Sequence, residues 1–243
     1  MEAETLANTE ELAKDEHDSA QKNFTPQPEL TPEMIAYEDD FLLILDKPAG
    51  MLVHPTVNER GATLYDYVKA YYECRHIEAD IHPVSRLDRN TSGLVIFAKE
   101  PVVQFWLSQQ EIDKEYLALA TGYVEQACGI IEAPIARKEG SIIERCVDYE
   151  RGKYAKTAYE VLGYYGANTL LKVRLYTGRT HQIRVHLAHI GHALVDDNLY
   201  GTPGPQARHA LHAYRLAFKH PVSDDFLEIT RTLPKDLQKK LYY

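Results

Sequence analysis

One carboxylate stands out by its neighbours. Asp88 lies in Ser85-Arg86-Leu87-Asp88-Arg89-Asn90-Thr91-Ser92-Gly93, a polar loop that ends on glycine and runs into the apolar stretch Leu94-Val95-Ile96-Phe97. Flanking arginines lower an aspartate pKa and keep it ionised, and an ionised carboxylate near neutral pH can act as nucleophile or base. The same composition also describes an ordinary structural loop, in which Asp88 pairs with an arginine or caps a turn through Thr91 and Ser92.

A second segment, Thr177-Gly178-Arg179-Thr180-His181-Gln182-Ile183-Arg184, continues through His186, His189 and His192. It reads as a helix opening at Thr180, with Ile183, Leu187 and Ile190 on its buried side and an end at Gly191. Arg184 follows Thr180 by one turn, near the helix N-terminus, where anions are favoured, so it can pair with a carboxylate or a phosphate. The four histidines raise a metal reading. No Cys or acidic ligand occurs among them and their spacing matches no familiar zinc site, so no metal is expected. Third, Tyr116 follows Asp113-Lys114-Glu115 at the start of a strand. It could stack on an unpaired base, a contact worth about 1–3 kcal/mol. With 17 tyrosines in the chain, packing explains any one of them equally well.

The elements that must hold these residues are mostly strands. Ile35-Ala36-Tyr37-Glu38 and Phe41-Leu42-Leu43-Ile44-Leu45 read as two short strands around Asp39-Asp40, closed by a Pro48-Ala49-Gly50 turn. Further strands are expected over 93–98, 116–122, 157–162 and 170–175. Helices are expected from Leu64 with Thr63 as N-cap, from Pro101, from Thr180 and from Pro234. The pattern predicts an α+β fold, with a mixed, largely antiparallel central sheet flanked by helices and loops. Residues 1–30 are polar and acidic, a composition expected to form a disordered tail, and 31–243 are expected to form one catalytic domain.

The net charge of −9 argues at first against a polyanionic partner. Residues 1–40, however, carry a balance of −10, and the remainder +1. Residues 161–195 contain no Asp or Glu but include Lys172, Arg174, Arg179 and Arg184, so a phosphate-facing surface is expected there. No stretch approaches the roughly 18 apolar residues of a membrane helix and no leader pattern opens the chain, which predicts a cytoplasmic protein. Cys74, Cys128 and Cys146 fit neither a disulfide framework nor a metal knuckle and are expected to be reduced and structural.

Taken together, the three segments resemble the RluA-type family of pseudouridine synthases. Its motifs read His-Arg-Leu-Asp-x-x-Thr-Ser-Gly, then Lys-x-Tyr, then Gly-Arg-Thr-His-Gln-Ile-Arg-x-His. The likeness extends to Leu45-Asp46-Lys47-Pro48-Ala49-Gly50 upstream, and to Leu211-His212-Ala213 with His220-Pro221 downstream. It implies the pseudouridine synthase fold and an isomerisation of uridine in ribosomal or transfer RNA that needs no cofactor, by a monomer. It implies Asp88 as the aspartate required for catalysis, Tyr116 against the target base, and Arg184 paired with Asp88. Arg86 would enter the RNA stack as the uridine leaves it, with Arg89, Arg179 and His181 also at the RNA. Ser85 departs from the usual histidine, and Ala193 and Asp196 from the usual proline and glycine. The acidic segment stands where many members carry a small RNA-binding module, so RNA selection is expected to rest on the catalytic domain. Two other readings compete: an idle RNA-binding or ribosome-assembly factor on the same fold, and a base-excising hydrolase, which would be expected to use two carboxylates and a water.

Overall fold

The computed structural model describes residues 29–56, 63–204 and 208–242. The acidic segment lies outside them up to residue 28. Leu30, assigned to the tail by its sequence, is buried with Leu43, Leu45 and Val95.

Two strands without polar alternation explain the centre of the fold. In β2 (Leu42–Lys47), Leu43 and Leu45 pack toward α1 (Leu64–Arg75), while Leu42 and Ile44 pack toward α2 (Pro101–Gln109). In β4 (Ser92–Ala98), Val95 and Phe97 take the first side and Leu94 and Ile96 the second, so all seven residues are buried. A strand covered on both faces has no solvent side to mark with polar residues. Helix α1 starts on the expected cap: Thr63 and Asp66 exchange side-chain and backbone hydrogen bonds as a capping box. Helix α2 opens on Pro101 as expected.

Around this pair the sheet runs β1 (Ile35–Glu38), β2, β4, β11 (Leu211–Lys219), β5 (Asp113–Thr121), β10 (Asn168–Leu175), β9 (Lys156–Tyr165) and β6 (Cys128–Glu132). β3 (His82–Pro83) pairs with β4 and β12 (Phe226–Thr230) with β11. Among the described residues every pairing is antiparallel except β4 with β11, which register Ser92 to His212 and Gly93 to Ala213. The mixed, largely antiparallel sheet is thus present. A separate hairpin joins β7 (Ile135–Arg137) and β8 (Arg145–Val147). Helix α3 (Gln182–His189) covers β5 and β10, placing Ile183 and Leu187 among Ala118, Leu171 and Val173. The chain ends in α4 (Lys235–Lys239), with Leu237 buried.

Several expectations are corrected. Helix α3 opens two residues after Thr180, because His181 is left-handed (φ 58°) and breaks the helical path, so Thr180 shares no helix face with Arg184. Two cations of the basic stretch expected over 161–195 are matched by acids from other strands: Lys172 meets Glu160 at 2.6 Å and Arg174 meets Asp113 at 2.7 Å. Cys74 and Cys128 are exposed rather than structural, and Cys146 is half-buried. Among the described residues no helix is long and apolar enough to cross a membrane.

Candidate active site

Asp88 sits in the loop between β3 and β4, and that loop is gripped from behind. The Lys47 ammonium, fully buried at the end of β2, donates to the carbonyls of Pro48, Met51 and Arg89 at 2.9, 2.8 and 3.0 Å. The Gly50 N–H reaches the same Arg89 carbonyl at 2.9 Å, from a glycine at φ 87°. Burial pushes the Lys47 pKa down to about 7, with Arg208 and Arg89 acting in the same sense and Asp88 against it.

On the other flank Arg208 donates to the Ser92 hydroxyl at 2.7 Å and the Asn90 carbonyl at 3.3 Å, and is itself held by Asp236 of α4 at 2.9 Å. His209 contacts the Thr91 hydroxyl at 2.8 Å and His212 the Ser92 hydroxyl at 2.9 Å. Burial pushes both imidazoles down to about 4, so they stay neutral. The hydroxyls Thr91 and Ser92, which sequence alone allowed as caps for Asp88, face these histidines instead. Thr91 does close the Asp88 turn, through its backbone N–H to the Asp88 carbonyl at 3.1 Å.

The side chain of Asp88 remains 26% exposed, which leaves it open to a substrate. Its ion-pair partner is Arg184, whose Nη1 lies 3.2 Å from Oδ2. The flanking Arg86 and Arg89 are exposed, so the sequence neighbours are not what meets the carboxylate at this distance. Arg184 is buried and forked onto Asp197, Nε to Oδ2 at 2.8 Å and Nη2 to Oδ1 at 2.9 Å. Asp197 is fixed in turn by the backbone N–H groups of Leu199 and Tyr200. Burial works against the Asp197 charge, but the Arg184 fork outweighs it and holds the carboxyl below the usual range. The ring of Tyr200 lies under the guanidinium, 5.0 Å from Cζ to centroid.

His181 Nε2 also faces Asp88 Oδ2, at 3.9 Å. Among the described residues, Asp88 Oδ1 makes no hydrogen bond or ion pair. Tyr116, on β5 beside Ala213, is 8% exposed, and burial together with the Asp88 charge raises its hydroxyl pKa. The structure therefore brings Asp88, Arg184 and His181 together, with Tyr116 within electrostatic reach. Arg179 stands apart on the surface, its Nε donating to the Tyr154 carbonyl.

The histidine cluster does not converge. His186 spends one ring nitrogen on the Thr157 hydroxyl and the other on the Ala133 carbonyl, and His192 faces the Thr121 carbonyl. Among the described residues no three His, Cys, Asp or Glu side chains are placed to share a metal.

The sequence reading missed Asp197, Tyr200, Arg208 and His209 as members of the site, and named Lys47 only as part of a motif. Lys47 had a visible signal, a lone cation ending an apolar strand. Asp197 had a weaker one, as half of an acidic pair soon after a stretch without acids. Asp196, the other half, is left-handed at φ 58° and bonded to Lys240, a conformation that accounts for the glycine usual in that place.

The profile of RNA pseudouridylate synthases matches residues 41–189, which contain Asp88, Tyr116 and Arg184. The chain belongs to the RNA pseudouridylate synthase family. Among related synthases, the ribosomal large subunit pseudouridine synthase D of Nitrosomonas europaea is 39% identical over 225 residues, covering 87% of this chain and 65% of that protein. This chain thus spans just under two thirds of that relative's length. The Escherichia coli synthase of the same name is 34% identical over 253 residues, covering 96% of this chain and 76% of that one. The synthase fold is shared with human RNA pseudouridylate synthase domain containing 4, with a TM-score of 0.70 and 22% identity over 85% of this chain and 91% of that one.

Proposed function

We propose that this chain converts a uridine of large-subunit ribosomal RNA to pseudouridine, with Asp88 as the carboxylate acting at the ribosyl–uracil bond. The observation that carries the reading is the buried Asp197–Arg184 fork, whose remaining nitrogen meets Asp88 while the opposite carboxylate oxygen stays uncommitted. The ribosomal target is supported by the names of the relatives from Nitrosomonas europaea and Escherichia coli.

The chemistry is an isomerisation. The bond from ribose carbon 1 to uracil N1 breaks, a bond from the same carbon to uracil carbon 5 forms, the carbon 5 proton leaves and N1 gains a proton. Atoms balance without a second substrate. Arg184 holds Asp88 oriented, so that its free oxygen can meet the reacting uridine. A uridine in structured RNA must first leave its stack, at a cost of a few kcal/mol. The exposed Arg86 fills the vacated space, and Tyr116 meets the base on the inner side. The exposed Arg89 and Arg179 lie toward the RNA.

Site-resolved pseudouridine mapping of ribosomal and transfer RNA, with and without the gene and after complementation by Asp88→Asn, tests this. The expected result is loss of one or a few ribosomal pseudouridines, not restored by the variant although it folds and binds RNA. Full restoration would overturn the role of Asp88. An unchanged map with a ribosome-assembly defect would favour an idle assembly factor, and free uracil with an abasic ribose would favour a hydrolase.

A further inference from the structure

Among the described residues, Arg184 and His181 are the two side chains that approach the Asp88 carboxylate within ion-pair distance. His181 Nε2 faces the same Oδ2, at 3.9 Å, and its opposite nitrogen, Nδ1, lies 2.8 Å from the Tyr200 hydroxyl. That hydroxyl already accepts the backbone N–H of Arg145 in β8, at 2.8 Å. The cation over the Tyr200 ring is a donor and offers the hydroxyl no acceptor. Among the described residues, Nδ1 of His181 is therefore the one acceptor placed for the hydroxyl proton. With Nδ1 accepting, a neutral imidazole carries its proton on Nε2, the nitrogen that faces Asp88. Burial keeps the His181 pKa below its usual value, Arg184 and Arg145 acting in the same sense and Asp88 and Asp197 against it, which favours the neutral ring.

We propose that Tyr200 and His181 are positioning residues for Asp88: the Tyr200 hydroxyl fixes His181 as the Nε2–H tautomer, and that N–H holds Oδ2 so that Oδ1 is the oxygen presented to the uridine. The 3.9 Å gap is about 1 Å longer than a direct hydrogen bond, and catalytic contacts of this kind commonly tighten only when substrate is bound. A small rotation of the carboxylate or one bridging water closes it. Because the relay begins at a backbone N–H of β8, it also ties the β7–β8 hairpin to the carboxylate. A histidine expected at the RNA is in this way turned inward, toward the reacting group.

This inference rests on the proposed role of Asp88, so its test has a readout that does not depend on turnover. Long-range proton–nitrogen correlation spectra of protein labelled with nitrogen-15 in its histidines report the tautomer of each ring, and His181→Gln assigns the signal. The Nε2–H tautomer is expected for His181 in the wild type, shifting toward a mixture in Tyr200→Phe, which keeps the ring beneath Arg184. In kinetics, Tyr200→Phe is expected to lower kcat about tenfold, as loss of an orienting hydrogen bond does, with KM for RNA unchanged. His181→Gln, which can still offer an N–H, should retain more activity than His181→Ala. An Nδ1–H tautomer in the wild type, or wild-type kcat in Tyr200→Phe, overturns the relay. If Tyr200→Phe does not fold, the wild-type tautomer decides alone. A wild type that forms no pseudouridine in any RNA would overturn the proposed function, whereas the tautomer reads the relay separately.

Discussion

The Asp197 carboxylate takes Nε and Nη2 of Arg184 at 2.8 and 2.9 Å, both partners being buried. This fork fixes where the third nitrogen points, and so where Asp88 is held. Removing Asp197 leaves a buried guanidinium with only the partly exposed Asp88 to balance it. Asp197→Ala is expected to destabilise the fold by about 3–5 kcal/mol, read as a lowered urea midpoint. A midpoint within experimental error of the wild type would show that the fork does not anchor the site.

Arg184→Lys tests the fork as geometry rather than charge. A lysine keeps the cation but cannot bond Asp197 twice while reaching Asp88. A loss of about 10²–10³ in kcat, with RNA affinity little changed, is expected in single-turnover assays. Retention of more than half the activity would mean that charge alone suffices.

His209 and His212 bind protons less readily in the folded chain, at about 4, than in the unfolded chain, near 6.5. Their contribution to stability is complete above about pH 6.5 and is lost as the pH falls toward 4, on the order of 3 kcal/mol for each ring. Thermal unfolding between pH 7 and 4 should show Tm falling through that window, and less steeply in His212→Gln. A flat profile would mean that these rings take up protons as readily in the folded chain as in the unfolded one.

Gly93 has a φ of 115°, and a Cβ there would stand 2.2 Å from the Ala213 carbonyl oxygen. Gly93→Ala is expected to cost about 3 kcal/mol or more, through backbone strain and the forced separation of β4 from β11. Denaturant unfolding measures it, and a cost below about 1 kcal/mol would show that the two strands yield.

Lys47→Met keeps the apolar stem but removes the donor from three carbonyls, one of them belonging to the Asp88 loop. About 3 kcal/mol of stability should be lost, with a fall in kcat larger than any change in KM. Equal shifts in kcat and KM would place the loss in RNA binding instead.

Much of this was legible in the sequence because it was local. Apolar runs at 42–45 and 94–97 marked the doubly covered strands, Thr63 and Pro101 marked helix starts, and the motif order identified the family. What was not legible depended on distance. Nothing near Asp88 in the chain says that its partner is Arg184, 96 residues away, while the adjacent Arg86 and Arg89 turn outward. The helix start at Thr180 failed because a left-handed His181 is a tertiary choice, held by Tyr200 and facing Asp88. Strands β3, β6, β7, β8 and β12 were missed because they are short and only partly covered. Strand β11 was missed although it is nine residues long and mostly buried, because a strand covered on both faces carries no polar alternation to mark it.

The parallel pairing of β4 with β11 also bears on how the protein comes into being. Ser92 meets His212 across 120 positions of chain, and closing so long a loop carries an entropy cost that local contacts cannot offset early in folding. On a translating ribosome, β2 and β4 emerge well before β11, and with them Asp88 on a loop that lacks Arg208, His209 and His212. A nascent chain therefore carries Asp88 on an unfinished loop until β11 and the residues just before it have emerged.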